Sequence, residues 1–161
     1  MYKYSYRRRL NWSECDPVGI IFFPHYARWV ADGLHEMFLK LGVDPTGTHE
    51  RDVRRGLPIV SLSMKFHAAA ALHEEVDHLI VVQKVGTKSL SFRHEVRRDG
   101  VLLVEVEDVR VWATYVSGQP DTLKAVAIPP EIRAMLSDVG ASDRVADTLA
   151  STDYGVERAQ Q

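Results

Sequence analysis

A chain of 161 residues, 45% hydrophobic and 26% charged, is sized for one domain that buries a single core without metals or disulfides. Its 20 Lys plus Arg against 22 Asp plus Glu give a net charge of −2, which excludes the broad basic field of a nucleic-acid binder; Arg7, Arg8 and Arg9 are an isolated cluster. The single cysteine, Cys15, cannot close an intramolecular disulfide, the N-terminus lacks an apolar signal region, and no segment nears the roughly 18 apolar residues of a membrane span, so a cytoplasmic protein is expected.

Tyr2, Tyr4 and Tyr6 alternate with polar residues and predict a first strand over residues 2 to 12. After the loop "ECDPVGIIFFPHY" comes the strongest periodic signal: Tyr26, Trp29, Val30, Gly33, Leu34, Met37, Phe38 and Leu41 share one helical face, while Arg28, Asp32, His35, Glu36 and Lys40 take the other. Pro24 suits the first turn and Gly42 the C-terminal cap. Gly33 within the apolar stripe predicts close approach of a strand to the helix backbone. Residues 43 to 57 read as loop. From Pro58 the period changes to two, giving strands at 58 to 66, 76 to 85 and about 90 to 96. A hairpin turn at "RRDG" leads to a last strand over 101 to 115. The parity of that strand changes at Glu107 and Asp108, which predicts a β-bulge there to keep both carboxylates outside.

The expected fold is therefore α+β, a five-stranded antiparallel sheet against one long helix, with a short helix at "PPEIRAML". The domain spans 1 to 138, and 139 to 161 form a weakly patterned tail or peripheral helix. One helix leaves a sheet edge unprotected, so sheet extension between subunits is expected.

The loop before the helix holds the candidate chemistry. Helix N-termini present unpaired N–H groups and partial positive charge, which stabilise an oxygen gaining negative charge. Pro24 has no N–H, which leaves the amides of Phe23, His25 and Tyr26. Pro17 and Gly19 let the chain bend so that the Asp16 carboxylate returns toward that helix start. Carboxylate plus backbone donors form an acyl-transfer pair; an Asp-Pro turn that merely caps a helix is the competing reading. Cys15 lies between Glu14 and Asp16, which raise rather than lower its pKa, so it reads as a structural thiol. The histidine spacings do not support a metal site, and no organic cofactor is implied.

"ECDPVGIIFFPHYARW" resembles the signature of the hotdog-fold thioesterases, in particular the 4-hydroxybenzoyl-CoA thioesterase group, and the strand–helix–four-strand order is that of the same fold. The resemblance extends over about residues 4 to 132, through "LPIVSLSMKF", "KSLSFRHEV" and "VRVWA". It implies hydrolysis of an acyl-CoA thioester, with Asp16 as nucleophile or general base and the Phe23 amide polarising the carbonyl. Gly19, His25, Tyr26 and Asp32 would line the site. Related sequences often carry histidine at Phe23 and Asn at His25. Pro58, Ile59, Val60 and Ser61 resemble the strand start that lines the acyl pocket; Leu57 replaces a polar residue there, which favours a hydrophobic, aromatic acyl group. Lys88 and Ser89 match the region contacting pantetheine and nucleotide, although two arginines found before this lysine in related sequences are here Gly86 and Thr87. The resemblance further implies a homo-oligomer, dimer or homotetramer, with sites at subunit interfaces. The alternatives are a non-catalytic acyl-CoA-binding or partner-binding module, and a thioesterase for acyl-carrier protein or short aliphatic acyl-CoA.

Overall fold

The protein is described here by a computed structural model covering residues 1–50 and 52–137, so the expected tail at 139–161 lies outside the described residues. β1 (Lys3–Arg9) leads through a 3₁₀ turn at Trp12–Glu14 to α1 (Pro24–Lys40), whose buried face carries Tyr26, Trp29, Val30, Gly33, Leu34, Met37 and Phe38. Gly42, with φ at 75°, adopts the left-handed conformation just beyond the helix end, where a glycine is the cheapest residue. Then follow β2 (Thr48–Glu50), β3 (Val53–Gly56), β4 (Ile59–Phe66), β5 (Glu75–Val85), β6 (Ser89–Arg98), β7 (Val101–Val111), β8 (Ala113–Val116), β9 (Gln119–Ala125) and α2 (Pro130–Ser137).

The main sheet has the order β1-β5-β6-β7-β4, with every pairing antiparallel. Inward residues alternate as expected: Val76, His78, Ile80 and Val82 on β5, and Leu90, Phe92, His94 and Val96 on β6 are buried. Phe38 meets Phe92 and Trp112 at one end of α1, and Tyr26 and Trp29 pack with Val76, Val96 and Leu103 at the other. Asp99 and Gly100, with φ of 48° and 81°, form the tight turn between β6 and β7 that their side chains favour.

Three local expectations are corrected. Residues 43 to 57 contain β2 and β3, which join β8 and β9 in a second sheet of order β2-β3-β8-β9; the polar residues there alternate too weakly to announce strands. The last strand breaks at Trp112, where the chain passes from the main sheet into the small one. The bulge lies at Leu103, since Val96 faces Val104 while Arg97 faces Leu102. Pairing continues unbroken through Glu107 and Asp108, and Asp108 turns inward.

Gly33 shows why close approach matters. A Cβ there would lie 2.8 Å from Tyr6 Oη and 3.1 Å from Ile80 Cδ1. In an open helix Gly→Ala stabilises by about 1 kcal/mol, but here overpacking against a hydrogen-bonded tyrosine reverses the sign, and Gly33→Ala should destabilise by about 1–3 kcal/mol in urea titration.

Candidate active site

The loop between β1 and α1 folds as a small hairpin. Asp16 N–H donates to Ile20 O at 2.9 Å, Phe22 N–H donates to Glu14 O at 2.9 Å, and Cys15 bridges to Ile21. Asp16 closes the tip: its Oδ1 accepts the Val18 N–H at 2.9 Å, and Gly19, at φ 85°, makes the return that a side chain would disfavour. The hairpin docks on the β4–β5 connection through Ile21 N–H to Ala70 O at 3.0 Å and Leu72 N–H to Gly19 O at 3.0 Å. Asp16 is thus half-buried on a loop tied at both sides.

The two acidic residues of this loop have separate fates. Glu14 is buried, and its carboxylate accepts Trp29 Nε1–H at 2.7 Å, Arg8 Nη2–H at 2.5 Å and Asn11 N–H at 2.9 Å, while the Arg8 guanidinium lies 3.9 Å over the Trp29 ring. With three donors on its two oxygens, the buried Glu14 carboxylate is committed to fixing the loop on α1. The Cys15 thiol is pushed up by desolvation first and then by the Glu14 and Asp16 carboxylates, which keeps it a poor nucleophile.

The helix start resolves which amides are available. His25 N–H donates to Phe22 O at 3.0 Å and Tyr26 N–H to Phe23 O at 3.1 Å, and Pro24 has none. The Phe23 amide meets no acceptor among the described residues, and no side chain caps this end. Tyr26 is buried with its hydroxyl unpartnered, its pKa pushed up to about 12 by burial and then by the Glu74 carboxylate. His25 is half-buried, packed edge-on against Phe22. Asp32 sits exposed two turns along α1, 3.9 Å from Arg28.

The remaining predicted residues lie elsewhere. Ile59 pairs with Arg110 and Ser89 with Val111, whereas the Asp16 hairpin docks near Phe66 and the start of β5. Seven steps of β4, from Ile59 to Phe66, span about 23 Å, so Pro58–Ser61, Lys88 and Ser89 occupy the opposite end of the sheet from Asp16, Gly19, Phe23, His25 and Tyr26. β4, between the two groups, is an open edge with Ile59, Val60 and Phe66 exposed by 48%, 62% and 54%.

A polar chain under α1 escaped the sequence reading. Tyr6 Oη lies 2.8 Å from His78 Nδ1, His78 Nε2 lies 3.1 Å from His94 Nδ1, and His94 Nε2 faces Asp108 Oδ2 at 3.6 Å. Arg110 Nε donates to the same oxygen at 2.7 Å, and its Nη1 donates to Leu57 O at 3.3 Å. Burial lowers the pKa of both histidines, with His94 and Arg8 adding to the effect on His78, while Asp108 partly restores His94. The signal was the parity change at Glu107 and Asp108, which marks an inward carboxylate.

The comparisons with known proteins agree with this architecture. Residues 10–136 match the family model for the Thioesterase-like superfamily. The 4-hydroxybenzoyl-CoA thioesterase of Pseudomonas sp. (strain CBS-3) is 29% identical over 133 residues, covering 78% of this chain and 91% of that one. A crystal structure of a mutant 4-hydroxybenzoyl CoA thioesterase complexed with 4-hydroxybenzoyl CoA superposes with a TM-score of 0.73 at 26% identity, over 84% of this chain and 99% of that one. A 1,4-dihydroxy-2-naphthoyl-CoA thioesterase from Synechocystis shares the fold at TM-score 0.73 and 14% identity, over 86% and 98% of the two chains. With the family model spanning most of its length and the helix-and-sheet order in agreement, this chain belongs to the Thioesterase-like superfamily, as a thioester hydrolase of the hotdog fold.

Proposed function

We propose that the protein hydrolyses an aromatic acyl-CoA, of benzoyl or hydroxybenzoyl type, to the free acid and CoA, at a site shared by two copies of the chain. The observation that carries this reading is the Asp16 carboxylate on a tethered hairpin leading into a helix start with one uncommitted amide, that of Phe23. The relatives named above, which act on aromatic CoA esters, support the choice of acyl group.

Asp16 acts as general base on water or as the nucleophile, and the stoichiometry is the same. In the base route, water oxygen bonds to the thioester carbon while its proton moves to Asp16. The carbonyl oxygen takes the negative charge and accepts the Phe23 N–H, helped by the positive end of α1. Collapse breaks the carbon–sulfur bond, and the proton held by Asp16 passes to the departing CoA thiolate.

The division of the predicted residues between two ends of the sheet supports a shared site. A two-fold axis across the β4 edge sets the Phe66 end of one copy beside the Ile59 end of the other. The acyl group would then lie between Asp16 of one copy and the Pro58–Ser61 segment of the second, whose Lys88 and Ser89 face the CoA tail. The same contact covers the exposed side chains of Ile59, Val60 and Phe66.

Thiol release from benzoyl, 4-hydroxybenzoyl, phenylacetyl, short and medium aliphatic CoA thioesters tests the assignment. Aromatic esters should have the highest kcat/KM; equal or better turnover of aliphatic esters would overturn the aromatic assignment, and no turnover of any ester would overturn the acyl-CoA assignment.

A further inference from the structure

The polar chain under α1 crosses β1, β5, β6 and β7 and takes no part in the reaction above. Tyr6 Oη meets His78 Nδ1 at 2.8 Å, His78 Nε2 meets His94 Nδ1 at 3.1 Å, and His94 Nε2 faces Asp108 Oδ2 at 3.6 Å. Tyr6 is 3% exposed and the other three are fully buried, so each polar atom depends on its neighbour in the chain.

The carboxylate at one end gives the chain a direction. A bare lone pair on His94 Nε2 would be repelled by Asp108, whereas an N–H is attracted, so His94 carries its proton on Nε2 and leaves Nδ1 as an acceptor. His78 must then donate from Nε2 to His94, and its own Nδ1 accepts the Tyr6 hydroxyl proton. One carboxylate thus fixes two tautomers and the rotation of a phenol hydroxyl two rings away.

The same distances admit a second arrangement. A proton gained by His94 fills Nδ1, and both its ring nitrogens donate. His78 Nε2 must then accept, its single proton sits on Nδ1, and Tyr6 Oη becomes the acceptor. The Tyr6 hydroxyl proton then needs a new partner, and Trp29 O of α1 lies 3.4 Å away. One proton has entered, His78 and Tyr6 remain neutral, and the two bonds among Tyr6, His78 and His94 have reversed. A second proton is excluded, because it would set two imidazolium rings 5.3 Å apart in the interior. The groups that face the chain are Tyr4 and Arg8 of β1, Asp32 of α1, and Glu107, Asp108 and Arg110 of β7. Burial and Arg110 oppose a proton on His94 while Asp108 and Glu107 favour it; on His78 burial, His94 and Arg8 all oppose one, so the charge belongs on His94.

We propose that this chain is a proton-operated two-state device: it runs from Tyr6 toward Asp108 when neutral, and one proton on His94 reverses it and moves the Tyr6 hydroxyl bond from His78 to the Trp29 carbonyl. Trp29 is the residue whose indole N–H holds Glu14 and with it the Asp16 hairpin, so the reversal is delivered to the helix that carries the candidate site. The device does not depend on the acyl-CoA reading and is tested without substrate.

Nitrogen NMR of the imidazoles in the full chain reads each tautomer directly, with the two residues assigned by the signals lost in His78→Gln and His94→Gln. Above neutral pH both should carry the proton on Nε2. On acidification His94 should become imidazolium while His78 changes to the Nδ1–H tautomer in the same step and stays uncharged. Tyr6→Phe keeps the ring against Gly33 and removes only the hydroxyl that ends the chain. It reaches His94 only through His78, yet it should weaken the proton affinity of His94 by about threefold to tenfold, because the bonds of the protonated chain are charge-assisted and lose most. Asp108→Asn should weaken it by about tenfold or more. An Nδ1–H tautomer on either histidine above neutral pH would overturn the proposal. So would a His78 tautomer that stays fixed as His94 takes up its proton, a His94 titration identical in wild type and Tyr6→Phe, or unfolding with both histidines still neutral.

Discussion

Asp16→Asn should lower kcat by about a hundredfold or more while leaving acyl-CoA affinity within about threefold of wild type. The substitution is well matched to the geometry. The amide oxygen of Asn can still accept the Val18 N–H that closes the hairpin at 2.9 Å, so the loop keeps its shape. What it loses is the capacity to take a proton from water or to attack the carbonyl. Steady-state thiol release, read beside calorimetric binding of the substrate, checks both halves. A binding module would keep its affinity and have no turnover to lose.

Asp108→Ala should cost about 3–5 kcal/mol of stability, because it leaves the Arg110 guanidinium buried without its counter-charge. Arg110 is only 7% exposed and cannot reach water without opening the start of β4, where it holds Leu57 O. Replacing both partners by apolar residues, Asp108→Leu with Arg110→Met, should recover most of that loss. Urea midpoints at constant m-value read the difference. A double variant as unstable as Asp108→Ala would show that the polar chain itself is required.

The same chain sets the response to acid. Both histidines have folded pKa values below the unfolded value of about 6.5, so their neutral burial is fully stabilising above that pH and is lost as pH falls below it. The unfolded chain takes up protons that the folded one refuses. The loss reaches about 1.4 kcal/mol per pH unit for each histidine that stays neutral. The thermal midpoint should therefore fall steadily from pH 6.5 to 5, more steeply than surface histidines alone produce.

Helix α1 was legible because its apolar stripe and its two terminal signals, Pro24 and Gly42, all point to the same element. The glycine within that stripe marked the close approach of strands, which β1 and β5 supply through Tyr6 and Ile80. Strands β4, β5 and β6 followed from alternation. The small sheet did not, because β9 is exposed along most of its length and β3 is short and arginine-rich, so neither alternates in hydrophobicity. The bulge was misplaced for a more instructive reason. A carboxylate at an inward position reads as an error to be absorbed, whereas Asp108 meets Arg110, two residues along its own strand, and His94 from the neighbouring β6. The inward Asp108 and Arg110 sit two apart on one strand, a local mark of a buried pair that alternation of apolar residues alone does not read.

In the candidate site, the sequence singles out the loop but not how its two carboxylates divide. Glu14 and Asp16 are chemically alike and two residues apart, and only the contacts of Trp29, Arg8 and Asn11 commit Glu14 to structure. Likewise the candidate amides narrow to Phe23 once the local bonds of His25 and Tyr26 are known.

The central claim is that neither copy of the chain holds a whole site. Its most direct test is thiol release from benzoyl-CoA, measured as specific activity against protein concentration with the oligomeric state followed by light scattering. Val60→Lys, which puts a charge on the exposed β4 edge, supplies a monomer if dilution does not. The account predicts that activity per chain falls in step with dissociation and vanishes in the monomer. A monomer that turns over at the rate of the assembled protein would contradict it.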